Sequence, residues 1–366
     1  MFAKSLTLTD FRSYPFLNAE FDSNNIFITG ANGSGKTNII EALYYLTLGR
    51  SFRKADDCEL IRKGSKEASI YLSFHDEKDD SDHSLSAIIG NKYKVFAYDN
   101  EKVPSLSKIL GKLLVTYYDP SQVFFFQGEP SDRRKLMDEV LSQLSNEYLY
   151  SIGRYKKLIK ERNSALSKNG DKDIIDVLRN ELINLAYRIV TERKRAIKIL
   201  SKKATEYYKT LFGTTDELTL QYKTNSPLDE DQRSFITNSL TLFDENKSLE
   251  NMRGITLIGP HRDDLIAFLN RNSLAGYGSQ GQNRLASLSL RLAIRDLLNE
   301  KLSHQPILLL DDVTSDLDKQ RTANLLTAVG EKGQVFITGT KIPSDYHQYS
   351  IYETTDDKQL VRRNQE

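Results

Sequence analysis

Between Gly30 and Thr37 the chain reads Gly-Ala-Asn-Gly-Ser-Gly-Lys-Thr, the spacing G-x-x-x-x-G-K-[ST]. It follows the short apolar run NNIFIT directly and precedes a run with helical spacing. Each residue type has a task in such a loop. Glycines at Gly30, Gly33 and Gly35 let the backbone N–H groups of the loop, Ala31, Asn32 and Ser34 included, wrap a polyphosphate. Lys36 neutralises the outer phosphate oxygens, and the Thr37 hydroxyl is a ligand for Mg²⁺. A purely structural glycine loop is the alternative; its place between a strand and a helix argues against it.

A metal–nucleotide site of this class needs a carboxylate at the end of another apolar strand. The run Ile307–Leu310 ends in Asp311 and Asp312. Asp311 is placed to hold Mg²⁺, usually through a water, and Asp312 to orient or deprotonate an attacking water. Upstream of it, Gly278-Ser279-Gln280-Gly281-Gln282-Asn283-Arg284 opens the helix-like run LASLSLRLAIRDLL. Read alone, that loop is an ordinary capped helix start. It is also a candidate anion site, because the N–H groups of a first turn lack partners and the helix dipole is positive there.

Periodicity indicates the elements that must position these residues. KSLTLTDF alternates, and TNIIEALYYLTLG has helical spacing through Ile39, Ile40, Leu43 and Leu46, with Gly49 as its stop. EASIYLSF and HSLSAIIGNKYKVFAY read as strands joined by the solvated acidic loop HDEKDDSD. From about Ser131, a fair N-cap, the chain turns charged and helical. A long helix from about Asp173 to Lys209 carries Ile175, Leu178, Leu182, Leu185 and Ile189 at coiled-coil spacing. Leu141, Leu144, Tyr148, Tyr155 and Ile159 offer a partner across the polar turn SKNGDKD, so an antiparallel helical pair is expected. TNSPLDEDQRSFITNSL reads as a loop leading into a helix, and QPILLLDD and QVFITGT rejoin a parallel sheet. The expected division is residues 1–115, a largely helical insertion over 116–275, and a returning part over 276–366.

The 366 residues suit two domains, or one with a large insertion. Hydrophobic residues at 39% and charged residues at 28% describe a soluble globular chain. A net charge of +1 forbids any argument from overall charge. Residues 151–210, however, hold 16 Lys or Arg against 7 Asp or Glu. That excess is either a solvated helical face or a phosphate-contacting surface. The single Cys58 rules out a disulfide framework. No apolar run reaches the roughly 20 residues that span a bilayer, and the start lacks a signal-peptide core; a cytoplasmic protein is expected.

In chain order the motifs are a phosphate loop, a helical insertion, the glutamine-rich helix start and the acidic strand. Together with LTDFRSYPFLNAEF, GRSFRKADDCELIRKG, GEPSDRRKLMDEVL, YKKLIKERNSAL, GPHRDDL and PILLLDDVTSDLD, they make the chain similar to the RecF family of bacterial recombination mediators, relatives of the SMC-type ATPases. The resemblance implies an α/β ATP-binding-cassette head with a helical second lobe. In such heads two subunits sandwich two ATP molecules, each bound by one subunit's phosphate loop and the other's signature. Ser279 and Gly281 would then face the γ-phosphate in trans, with Gln282 beside them. Lys36, Asp311, Asp312 and Ser279 would be the catalytic set, and Ser315 and Asp318 of SDLD would form the loop crossing the interface. The family's reported role implies ATP-dependent clamping of double-stranded, single-stranded or gapped DNA. With RecO and RecR it loads RecA, supports replication forks and SOS induction, and has no membrane partner. Which residues touch DNA is left open.

The chain departs from cassette patterns in ways that bear on chemistry. Gly278 and Gln280 stand where transporters carry Leu and Gly, and Asp312 stands where they carry Glu. A base shorter by one methylene implies slow hydrolysis, a switch rather than a motor. No His lies in QVFITGT, so the switch position falls to Thr338 or Thr340. Phe52 replaces a His frequent in the family, and YYDPSQV lacks the acidic pair usual after Pro120. Gln122 is a weak candidate for a metal-contacting glutamine. His261 and Arg262 are candidates for the same cleft, with a salt-bridged surface turn as the alternative. The competing reading is the ATPase subunit of a membrane transporter; a long-armed SMC-like structural protein would need helices longer than about 35 residues.

Overall fold

A computed structural model describes residues 1–330, 332–342 and 348–363, the side chain of Asp316 excepted. The chain forms two compact units, one of residues 1–122, 209–214 and 291–366, the other of 123–208 and 215–290. The expected boundaries lay at 115/116 and 275/276. Two of the observed ones fall inside the helices Lys172–Phe212 and Gln280–Leu302, where composition does not change.

The first unit is built on two six-stranded sheets. One is antiparallel, with strand order Tyr14–Glu20, Phe2–Phe11, Glu67–Asp76, Ser81–Gly90, Lys94–Tyr98 and Glu101–Lys102. The other runs Leu360–Arg362, Ser350–Thr354, Asn25–Thr29, Val335–Gly339, Ile307–Leu310 and Val115–Tyr118, all parallel except the pairing of its first two strands. Its strands Val115–Tyr118, Ile307–Leu310 and Val335–Gly339 are buried at every position, which explains why the last two read as apolar strands, while Val115–Tyr118, with Thr116 and two tyrosines, carried no such signal. Helix Lys36–Leu48 touches strands of both sheets. It therefore buries residues all round, from Ile39 and Ile40 to Leu46 and Thr47.

In the second unit, helices Asn146–Ser167 and Lys172–Phe212 form the antiparallel pair. Arg154 binds Glu181 at 2.7 Å and Arg188 binds Glu147 at 3.6 Å, the crossed order antiparallel packing demands. The buried stripe of the longer helix is wider than a two-helix seam. It includes Leu182, Ile183, Ala186, Ile189 and Val190, because helix Gln232–Arg253 also packs here, through the Tyr187–Phe235 ring contact and Arg179–Asp244 at 3.0 Å. Farther along, Ala196 and Ile197 are buried too, Ile197 beside Met137, Tyr222 and Leu265. A three-stranded sheet, Asn272–Ser273, Asp264–Leu269 and Leu218–Lys223, was not anticipated from the sequence.

The basic excess of residues 151–210 is largely met by acids outside that segment. Lys156 pairs with Asp138, Arg162 with Glu250, Arg179 with Asp244, Arg188 with Glu147, and Arg193 with Asp138 and Asp263. Much of the excess is thus consumed in holding helices together.

Candidate nucleotide site

The phosphate loop leaves strand Asn25–Thr29 and enters helix Lys36–Leu48. Its glycines are required by conformation and by contact. Gly30 has φ of 147°, and a Cβ there would lie 2.0 Å from Thr354 Oγ1; Gly35 has φ of 113°, and a Cβ there would lie 2.6 Å from the Tyr14 hydroxyl. The Lys36 ammonium donates to the carbonyls of Gly30 at 2.7 Å and Ala31 at 2.8 Å. Burial lowers its pKa, while the carboxylates of Asp312 and Asp311 pull it back up. In the same helix Glu41 has no exposed surface, and Arg12 grips it with bonds of 2.7 and 2.9 Å while the Ser51 hydroxyl donates to it.

Parallel pairing brings the carboxyl ends of the acidic strand, the strand Val335–Gly339 and the phosphate-loop strand side by side. Asp311 Oδ1 accepts from Thr37 Oγ1 at 3.0 Å and from Thr338 Oγ1 at 2.5 Å. Burial raises the Asp311 pKa, and the two threonine hydroxyls oppose that rise. Thr338 Oγ1 also accepts from the Asp312 backbone N–H at 3.0 Å, so one hydroxyl ties both acidic residues together. Of the two candidates for a switch position, Thr338 is buried against this pair, whereas Thr340 is exposed.

Asp312 sits in the left-handed region with φ of 46°, an uncommon conformation for a non-glycine residue. The Ser315 hydroxyl donates to the Asp312 carbonyl at 2.9 Å, and Asp318 caps the next helix by accepting from Arg321 N–H at 2.9 Å. Thr37 and Asp311 present adjacent hard oxygen donors, the set suited to Mg²⁺ that keeps waters and phosphate oxygens as further ligands. The side-chain oxygen of Gln122 is engaged by Arg291 at 2.5 Å, and its amide donates to Asp119 at 3.3 Å. Any metal contact by Gln122 requires release from Arg291.

Ser279, Gln280 and Gly281 lie exposed in the second unit. Ser279 Oγ accepts from Gln282 N–H at 3.2 Å, and Gln282 Oε1 accepts from Ser279 N–H at 2.9 Å. This is a reciprocal capping box. The Gln282 side chain, read from sequence as nucleotide-binding, accepts within this cap, as the Ser279 hydroxyl does. The buried Asn283 amide donates to the carbonyls of Leu274, Gly278 and Ser279, fixing the loop from behind.

The GPHRDDL stretch builds the interior of the second unit. His261 pairs through Nδ1 with the Tyr155 hydroxyl at 2.9 Å and through Nε2 with the Thr256 carbonyl at 3.0 Å. Burial drives its pKa down to about 4. Arg133 binds Asp264 at 2.7 Å. Arg193 bridges Asp263 and Asp138, both at 2.8 Å. Arg193→Met should therefore leave the buried Asp263 without its cation, Asp138 keeping Lys156, and cost about 3–5 kcal/mol in urea unfolding. A loss below about 1 kcal/mol would show the network to be dispensable.

The model of the RecF/RecN/SMC N-terminal domain matches residues 2–352. The DNA replication and repair protein RecF of Halalkalibacterium halodurans (strain ATCC BAA-125 / DSM 18197 / FERM 7344 / JCM 9153 / C-125) is 35% identical over 361 residues, 97% of this chain and 96% of that protein. The chain belongs to the RecF family. RecF of Bacillus subtilis (strain 168) is 34% identical over 358 residues, 95% of each chain. A solved structure described as the recombination mediator RecF with ATP superposes on this RecF-family chain with a TM-score of 0.91, at 26% identity, covering 99% of this chain and 98% of the other. The Smc head domain of Pyrococcus furiosus, at 16% identity and a TM-score of 0.57 with 99% and 96% of the two chains covered, shares the fold.

Within the RecF-family head, the sequence motifs that the structure joins are Lys36, Thr37 and Asp311. Four contributors were missed. Glu41 was signalled by a lone carboxylate in an otherwise apolar helix, TNIIEALYYL. Tyr14, Thr354 and Lys358 reach the loop from strands and a turn distant in sequence, and no local pattern marks them. Among the described residues no helix is long and apolar enough to cross a membrane.

Proposed function

We propose that the chain is an ATP-dependent DNA-binding protein of recombinational repair and replication-fork maintenance. Its slow ATPase acts as a switch. The observation that carries this reading is the Thr37–Asp311–Thr338 cluster beside Lys36, in a head similar over nearly its whole length to RecF with ATP. In this reading Gly30–Thr37 cradles the triphosphate, and Thr37 and Asp311 hold Mg²⁺, which would neutralise charge on the phosphates. Asp312 orients the attacking water. Ser279 and Gly281 of a second copy complete the site, with Ser315 and Asp318 at the interface. ATP closes the homodimer on DNA, hydrolysis opens it, and RecR, RecO and RecA act with the closed form. The transporter-motor alternative gains no support from the relatives matched.

Thr338 and the left-handed backbone fix Asp312, but its side chain is one methylene shorter than Glu, which supports turnover well below the enzyme median of about 10 s⁻¹. Asp312→Asn should bind ATP normally and hydrolyse it at least about 100-fold more slowly, leaving a long-lived dimer in sedimentation with ATP. Normal hydrolysis by that variant would remove Asp312 from the role. DNA binding should need ATP and fall steeply with salt. Equal binding to duplex and gapped DNA with and without ATP would sink the switch.

A further inference from the structure

The turn Thr355–Gln359 enters the site described so far only through Lys358. Strand Ser350–Thr354 runs parallel to Asn25–Thr29 with Glu353 opposite Thr29, so the chain leaving one strand lies beside the chain leaving the other. The chain leaving Thr29 is the phosphate loop. Thr354 Oγ1 meets the Ser34 hydroxyl at 2.6 Å and donates to the Thr29 carbonyl at 3.2 Å. Lys358, held at φ of 58° with its N–H on the Thr355 carbonyl at 3.1 Å, turns its ammonium back onto the loop. That ammonium donates to the carbonyls of Ser34 at 3.2 Å and Gly33 at 3.4 Å.

A cation on a peptide carbonyl draws electron density through the conjugated amide and strengthens the N–H at the other end of the same unit as a donor. The carbonyls of Gly33 and Ser34 belong to the peptide units whose N–H groups are those of Ser34 and Gly35. The Ser34 N–H bonds within the loop to the Ala31 carbonyl at 3.2 Å, and the Gly35 N–H stands in the part of such a loop that cradles phosphate. We propose that Lys358 is a positioning residue for nucleotide binding: it polarises and fixes the phosphate-loop amides from their carbonyl side, without touching the γ-phosphate. Lys36, whose ammonium lies on the carbonyls of Gly30 and Ala31, is the lysine read as meeting the phosphates, whereas Lys358 holds the carbonyls of Gly33 and Ser34, farther along the same loop. This inference rests on the ATP-binding reading above.

The effect should be equal for ATP and ADP, because the α- and β-phosphates that the loop amides hold are common to both. Affinities of the full chain for ATP and ADP, read by displacement of a fluorescent nucleotide, provide the test. Lys358→Met should weaken both by the same factor, roughly 3- to 10-fold, and Lys358→Arg should restore both to within about 2-fold. Melting without nucleotide should be the same for all three chains. Unchanged affinity in Lys358→Met, loss confined to ATP, or loss that arginine does not rescue would each overturn the proposal. A wild-type chain that binds neither nucleotide would instead overturn the ATP reading, and this inference with it.

Discussion

Lys36→Ala should lower ATP affinity by at least about 100-fold while leaving the melting temperature of the nucleotide-free chain unchanged. The ammonium makes charge-assisted hydrogen bonds, each worth about 1.5–3 kcal/mol, and at a polyphosphate no other side chain of the loop can replace it. Stability should not suffer. Burial of the ammonium already works against its charged state, and the two carbonyls it serves, those of Gly30 and Ala31, lie in a loop open to water once the side chain is removed. Equilibrium titration with ATP and sedimentation with and without ATP check both halves. A Lys36→Ala chain that still dimerises on adding ATP would mean that the nucleotide site lies elsewhere.

Ser279→Arg should have the second large effect, and of a different kind. One copy should bind ATP normally, because the phosphate loop, Lys36 and Asp311 are untouched, yet ATP-induced dimerisation should disappear. Losing the capping box costs the helix about 1 kcal/mol, too little to unfold the unit. What blocks closure is the long side chain standing where a small hydroxyl should meet a partner's phosphate. Ser279→Ala, which removes the hydroxyl without adding bulk, should weaken dimerisation by about 10-fold. If Ser279→Arg abolishes ATP binding by the single chain, Ser279 acts on its own copy's nucleotide and the trans reading fails.

The parts of this site that were legible beforehand are those written contiguously. Gly30 to Thr37 is a single loop whose residue types each answer to a phosphate or metal, and Asp311 ends a strand too apolar to lie anywhere but in a sheet. Thr338 was legible only as one of two positions, since deciding between Thr338 and Thr340 needs the last turn of the strand Val335–Gly339. Tyr14, Thr354 and Lys358 were not legible. Their approach to the loop depends on strand register, which brings together residues more than 300 apart in the case of Thr354 and Ser34. Gln282 was read for a ligand, and in this structure it shares the helix cap with Ser279, a local role that the motif equally allows. The basic excess over residues 151–210 could not be apportioned from the sequence for a similar reason, because the acids that pair with part of it, Asp138, Glu147, Asp244, Glu250 and Asp263, come from outside the segment. The buried stripe of helix Lys172–Phe212 was half legible. Leu182 and Ile189 were expected and are buried, but Ile183, Ala186 and Val190 join them because a third helix packs there.

The central claim is that each nucleotide is held by two copies of the chain, and mixing two inactive variants tests it most directly. Lys36→Ala destroys the phosphate-loop half of a site and Ser279→Arg the signature half. A dimer of one of each pairs the intact loop of the Ser279→Arg chain with the intact signature of the Lys36→Ala chain. ATP hydrolysis, absent from either variant alone, should return on mixing, together with an ATP-dependent dimer in sedimentation. A mixture as inactive as its components would contradict the account.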